Sequence, residues 1–221
     1  MERNKLSVIL IAWNEEVRVR TCLDSVRWAD EIIVVDQSST DMTERVCREY
    51  TDKVFTVPNK GYADPDYEFA ASRCSNDWIF LIDADEAVTP ELKEEMAALL
   101  SRAPAEDCYY IPRKNIFLGK WIKGSGWYPG RVLRLFKKGS VKFPEAIHVC
   151  LTPVSRAGYL KNAIRHNTYE KMTDYVRKFD RYTGILAVEA AARGERVGAR
   201  NFIWKLLLLP SAYMLRKYFL M

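Results

Sequence analysis

The sequence predicts an α/β protein: a mostly parallel sheet with helices on both faces, antiparallel additions, and a C-terminal helical appendage. Three observations predict it. The runs Leu6 to Ala12 and Ile79 to Ile82 are short, apolar and unbroken by polar alternation, as strands buried on both faces are. Through the first hundred residues such runs alternate with stretches of helical spacing, the rhythm of parallel strands joined by crossover helices. Charge is also divided: residues 1–155 carry 21 basic and 24 acidic side chains, a net of −3, whereas residues 156–221 carry 13 and 5, a net of +8.

In chain order, Leu6 to Ala12 opens the sheet, and Val17, Cys22, Leu23 and Val26 give Glu15 to Val26 a helical stripe. Glu31 to Asp36 is a second strand, followed by Ser38-Ser39-Thr40-Asp41, a helix-start cluster with Glu44 beyond it. A strand at Val54 to Val57, a helix at Tyr67 to Cys74, a strand at Trp78 to Ile82 and a helix at Pro90 to Leu100 continue the pattern. Between Asp107 and Leu151 it changes to short β-like pieces, Tyr109 to Pro112, Val132 to Phe136 and Ile147 to Leu151. The segment Phe117 to Gly130 has four aromatics and four glycines, the composition of a binding loop, although the same aromatics would also pack beneath an irregular connection. Thr173 to Arg193 is an amphipathic helix with Gly194 as its C-terminal cap. We therefore expect a globular unit at 1–155 and a basic helical region at 156–221.

Several classes are disfavoured. Five widely spaced cysteines with no C-x-x-C pair indicate neither a disulfide framework nor a zinc site, and they read as core thiols in a reducing compartment. The apolar run after Lys5 is strand-length and lacks a small-residue cleavage site, which predicts a protein that is not exported. No glycine-rich phosphate loop follows any strand. The stretch Asn201 to Met221 is too short and too charged to span a bilayer. Its Lys205, Arg216 and Lys217 beside Trp204 and the leucines instead predict a helix lying on an anionic membrane surface. This interleaving of basic and apolar residues argues against nucleic acid as the partner.

The chemistry centres on Ile79-Phe80-Leu81-Ile82-Asp83-Ala84-Asp85-Glu86, which delivers two carboxylates to the carboxyl end of a buried strand, where open α/β sheets bind ligands. Carboxylates that close call for a cation, and oxygen ligands favour Mg²⁺ or Mn²⁺. A competing reading makes Asp85 and Glu86 a turn and a cap for the helix at Pro90 to Leu100. Asn14-Glu15-Glu16 and Asp36 with Asp41 end the neighbouring predicted strands, so all three clusters share one edge. That edge suits a nucleoside diphosphate bound through a metal at Asp83 and Asp85, with Asp36 against a base or ribose.

These motifs, together with Cys22-Leu23-Asp24-Ser25-Val26, Phe117-Leu118-Gly119-Lys120-Trp121, Trp127-Tyr128-Pro129, Arg131 to Phe136 and His148, resemble family 2 glycosyltransferases. The likeness is to the bacterial lipopolysaccharide-core type. The resemblance implies a GT-A fold, a nucleotide-diphosphate sugar donor such as a UDP-hexose, Mn²⁺ or Mg²⁺, and inversion at the anomeric carbon. It implies a saccharide or glycolipid acceptor and a cytoplasmic protein peripheral on the inner membrane. Asn14, Glu15, Glu16, Asp36, Asp41 and Asp83 become donor-site candidates, with Asp83 and Asp85 as metal ligands. Trp121, Trp127, Tyr128 and His148 become candidates for the acceptor or loop site. Inverting transfer also needs a general base. Relatives usually show His-Glu where this chain has His148-Val149, Asp at Gly130, and Arg-Asn or Lys-Asn at Tyr67-Glu68. Glu145 is then the nearest base, while His148 and His166, with no nucleophile pattern beside them, read first as hydrogen-bonded structural residues. The same departures motivate a second reading, a catalytically impaired relative that binds nucleotide sugar as a binding or assembly subunit. A haloacid-dehalogenase-like phosphatase fits less well, because Ala87 stands where that motif has Thr or Val.

Overall fold

The computed structural model describes residues 3–143, 151–194 and 198–219. Its main sheet is built around four parallel strands, β1 (Leu6–Ala12), β2 (Glu31–Asp36), β3 (Val54–Thr56) and β4 (Trp78–Asp83), in the order β4-β1-β2-β3. Every residue of β1 is buried. Leu6, Val8, Leu10 and Ala12 pack with Val19, Cys22, Leu23 and Val26 of α1 (Val19–Val26) on one face. Ile9 and Ile11 pack on the other with Tyr67, Ala70 and Ala71 of α3 (Tyr67–Ser72). Burying each large apolar side chain of this kind contributes about 1.5–3 kcal/mol, which commits the strand to the centre of the sheet.

Two expectations are corrected here. Val17 is not on the helix's core face but 78% exposed, because residues 14–18 form a turn in which Arg18 N–H and Val19 N–H donate to the Glu15 carbonyl. The helical stripe starts at Val19 instead. Nor do Asp85 and Glu86 cap the helix α4 (Pro90–Leu100): Thr89 does so, its hydroxyl accepting from Leu92 N–H at 3.2 Å, with Pro90 as the first helical residue. The remaining helix of this half, α2 (Thr43–Arg48), follows the Ser38 to Asp41 cluster as expected.

Beyond β4 the sheet continues through antiparallel β9 (Val132–Lys137) and β6 (Cys108–Ile111) to β12 (Gly158–Tyr159). A second sheet has the order β5-β13-β7-β8, formed by β5 (Glu86–Val88), β13 (Ile164–Tyr169), β7 (Arg113–Phe117) and β8 (Lys120–Trp121). Strands at 158–159 and 164–169 thus extend both sheets past residue 155. A two-stranded ribbon pairs β10 (Val141–Lys142) with β11 (Thr152–Pro153); the predicted strand at 147–151 falls mostly outside the described residues. The chain ends in helices α5 (Met172–Ala192), α6 (Ala199–Ile203) and α7 (Leu209–Phe219), the last two joined by a π-helical stretch at Trp204–Leu208. The wider π turn comes just before Pro210, which lacks an N–H and would crowd the carbonyl four residues back in a regular helix. Gly194 caps α5 with a φ of +71°. Among the described residues, no helix is long and apolar enough to cross a membrane.

Candidate active site

The parallel register sets Asp36 beside Ala12 and Asp83 beside Ile11, so the acidic ends of β1, β2 and β4 meet at one edge. Two loops there are tied together by their own polar groups. Asn14 Oδ1 accepts from Thr40 N–H at 2.8 Å, Glu16 from Met42 N–H at 2.9 Å, and Asp41 from Glu16 N–H at 3.2 Å and Thr43 N–H at 2.9 Å. Burial opposes ionisation of Asp41, but these bonds prevail and hold its carboxyl below the usual range. Asn14, Glu16 and Asp41 therefore shape the loops. Asp36 is buried; one oxygen accepts from Ser39 N–H at 2.9 Å, and Oδ1 has no partner among the described residues.

Asp85 lies in the turn between β4 and β5, and the neighbouring β13 brings His166 Nε2 to 3.4 Å from its Oδ2. The imidazole is oriented from behind. His166 Nδ1–H donates to Asn115 Oδ1 at 2.6 Å, and Asn115 Nδ2 donates to the Trp127 carbonyl at 3.0 Å, which fixes the amide's direction. With Nδ1 protonated, Nε2 of the neutral ring offers its lone pair toward Asp85. That gap wants a positive charge, either a proton on Nε2 or a divalent cation. A carboxylate oxygen and an imidazole nitrogen 3.4 Å apart are spaced as neighbouring ligands of one ion, bonded at about 2.1 Å each. No group of three or more His, Cys, Asp or Glu that could hold a metal ion gathers among the described residues, so any cation held by Asp85 and His166 would need water and substrate oxygens to complete its shell. Burial opposes ionisation of Asp85, yet when Nε2 carries a proton the His166 hydrogen bond and charge, with Lys178 and Arg18, bring its carboxyl down to about 2.

Asp83, the other member of the expected metal pair, meets a cation of the protein's own. Its carboxylate is held by Arg134 of β9, whose Nη2 also lies 3.4 Å from Glu86 Oε1. Glu86 is fully buried, accepts from Asp83 N–H at 3.1 Å, and has Arg113 Nη1 at 3.6 Å. Burial pushes the Glu86 carboxyl up, while Arg134 pulls it back; Arg134 itself stays charged because Asp83 and Glu86 outweigh its burial. Arg113 and Asn115 lie outside the sequence motifs, whereas Arg134 falls within Arg131 to Phe136 and Glu86 closes the D-x-D-E run.

Glu15 is also shifted upward at this edge. Burial first, then the neighbouring charge of Asp85, raises it to about 7, against the pull of Arg18 and Lys178. A folded-state value above the unfolded one means the native state binds more protons between pH 4.5 and 7, so stability declines as pH rises through that window. We expect chelator-treated protein to lose about 2–3 kcal/mol of urea stability across it, and Glu15→Gln to flatten the profile. An unchanged slope in the variant would remove Glu15 as the source.

The aromatic loop packs rather than hangs free. Trp121 meets Tyr128 edge-on at 5.2 Å, with Lys114 and Lys123 over its ring at 4.5 and 4.6 Å, and Trp127 contacts Phe117 at 6.3 Å. A Cβ at Gly130 would lie 2.8 Å from the Trp127 carbonyl oxygen, so this loop is built for glycine at that position. Glu145, His148 and Val149 lie outside the described residues.

A mostly parallel sheet with acids gathered at its carboxyl edge, extended by antiparallel strands, is the arrangement of a GT-A glycosyltransferase. Residues 7–166 match the model of glycosyl transferase family 2, and the chain belongs to that family of transferases. It is similar to the lipopolysaccharide core biosynthesis glycosyltransferase LpsC of Rhizobium meliloti (strain 1021), with 28% identity over 97% of this chain and 80% of that protein. An uncharacterized glycosyltransferase of Rickettsia felis is 30% identical over 97% of this chain and 81% of its own length. The fold is also that of Staphylococcus aureus TarS 1–349, with a TM-score of 0.55 and 18% identity over 74% of this chain and 60% of that one.

Proposed function

We propose that this transferase moves a hexose, with inversion, from a nucleotide-diphosphate sugar to a saccharide acceptor of the lipopolysaccharide-core or lipid-linked kind. The observation that carries the reading is the Asp85–His166 pair, oriented by Asn115 and set beside Asp36 and Glu15 at one sheet edge. The similarity to LpsC, a protein named for lipopolysaccharide core biosynthesis, supports the acceptor class. Asp85 and His166 would hold Mg²⁺ or Mn²⁺, whose charge compensates the diphosphate leaving group. Asp36 Oδ1, buried and unpartnered, would accept an N–H of the base. Asp83, fixed by Arg134, faces the ribose side. Glu145 is assigned the base that takes the acceptor's proton, and Glu145→Gln should lower turnover about 100-fold or more.

Binding of UDP-hexose with Mn²⁺, measured by calorimetry, should be lost in Asp85→Asn. Tight binding unaffected by that change would sink the metal assignment. Donor binding by wild type without any multiple-turnover transfer, across a broad acceptor panel, would favour the binding-subunit reading instead.

The helical tail supports a membrane-surface location. Phe202, Trp204, Leu206, Leu209, Tyr213 and Leu215 are each about half exposed, within a region of net charge +8. Removing residues 201–221 should weaken binding to anionic vesicles and leave donor binding intact. Equal vesicle binding by the shortened protein would refute the role.

A further inference from the structure

Helix α5 turns a charged face toward the sheet. Its half-buried stripe includes Asp174, Lys178, Arg181, Tyr182 and Ile185, at helical spacing, while Val176, Phe179 and Leu186 stand exposed on its flank. The helix thus mixes charged groups with aromatic contacts, Tyr175 meeting Tyr169 at 5.2 Å and Phe117 at 5.8 Å. Two cations are thereby brought to the edge that holds Asp85. Lys178 Nζ lies 4.0 Å from Asp85 Oδ2 and 5.5 Å from the centre of the Tyr169 ring. One turn on, the Arg181 guanidinium lies 5.1 Å from the ring of Trp13, the residue that follows β1, and its Nε is buried with no hydrogen-bond partner.

The charges at this corner do not balance without a ligand. Asp85 is shared by His166 and Lys178, and Arg181 has no carboxylate partner among the described residues. A divalent cation at Asp85 and His166 would compete for the carboxylate nearest to Lys178 among the described residues, leaving it the more distant fields of Glu15 and Asp83, and would set two positive charges against each other. An anion lying across the corner removes the conflict, since its oxygens can face the metal on one side and the Lys178 ammonium and Arg181 guanidinium on the other. We propose that Lys178 and Arg181 form the diphosphate-binding side of the donor site, so that divalent cation and nucleoside diphosphate bind as one unit. The proposal rests on the donor reading above and assigns it residues from the C-terminal helical region. By linkage, each ligand then tightens the other to the same degree.

The experiment titrates Mn²⁺ alone, followed by electron paramagnetic resonance, and then UDP and uridine with Mn²⁺ present, by calorimetry. GDP, CDP, ADP and dTDP, with their nucleosides, stand in if UDP is not the tightest. In wild type the nucleoside diphosphate should raise Mn²⁺ affinity about tenfold or more. Lys178→Met should weaken nucleoside diphosphate binding about tenfold yet bind Mn²⁺ alone several-fold more tightly, a gain that mere loss of structure does not produce. Arg181→Ala should weaken the nucleoside diphosphate by a similar factor, with partial recovery in Arg181→Lys and unchanged nucleoside binding. Variants that bind the diphosphate as wild type does, or that lose nucleoside and diphosphate equally, overturn the proposal and leave the donor reading standing. Wild type that binds none of the five nucleotides overturns both.

Discussion

Replacing Arg134 with methionine should cost about 3–5 kcal/mol of stability, read as a lower urea midpoint at unchanged slope. The side chain is 8% exposed and joins Asp83 to the fully buried Glu86, so its removal strands a carboxylate where water cannot reach it. Arg113, 3.6 Å from Glu86, softens the loss without replacing the bond to Asp83. The variant should also acquire a pH dependence of defined sign. Without Arg134, burial pushes the Glu86 carboxyl further above its unfolded value, so the variant gains stability as pH falls and Glu86 takes up a proton. Glu86→Gln in the same background should recover part of the deficit and flatten the profile. A methionine variant within 1 kcal/mol of wild type at pH 8 would show that the pair is not electrostatically essential.

Asn115→Leu should lower Mn²⁺ affinity about 10- to 100-fold, measured with UDP present. No contact of Asn115 with a cation is needed for this effect. The amide fixes which imidazole nitrogen of His166 carries the proton, and leucine leaves both Nδ1–H and the Trp127 carbonyl without their partners. Asn115→Asp separates the two roles. It keeps an acceptor for Nδ1–H, so cation affinity should survive, while its carboxylate faces the Trp127 carbonyl and should loosen the aromatic loop. Equal affinity in the leucine variant and wild type would mean that His166 is not a ligand.

The first strands and α4 are legible in the sequence because their signals are local. Leu6 to Ala12 and Glu31 to Asp36 are apolar runs ended by polar clusters, and Thr89-Pro90 announces a helix start. Val17 misleads because apolar periodicity carries no information about a turn that displaces the helix start by four residues, from Glu15 to Val19. Half of the candidate site is legible as well: Asp36, Asp83 and Asp85 follow buried strands, and a strand end is a position that sequence can mark. His166, Asn115 and Arg134 are not legible in this way. Each looks ordinary among its neighbours, and its meaning comes from a partner brought alongside by sheet pairing, as in the parallel ladder that sets His166 opposite Asn115.

That ladder also bears on how the protein matures. The His166–Asn115 bond joins residues 51 apart, and parallel pairing at such separations is slow because loop-closure entropy must be overcome before any contact rewards it. Strands β1, β2 and β4 are all in the chain by residue 83, so a nascent polypeptide can begin to collapse before β13 leaves the ribosome, although Leu92, Met96, Leu135 and Ile164 join the same core later. The proposed cation site at Asp85 and His166 would therefore form only after the first strands have had time to collapse, a late step that metal or nucleotide would stabilise once it is passed.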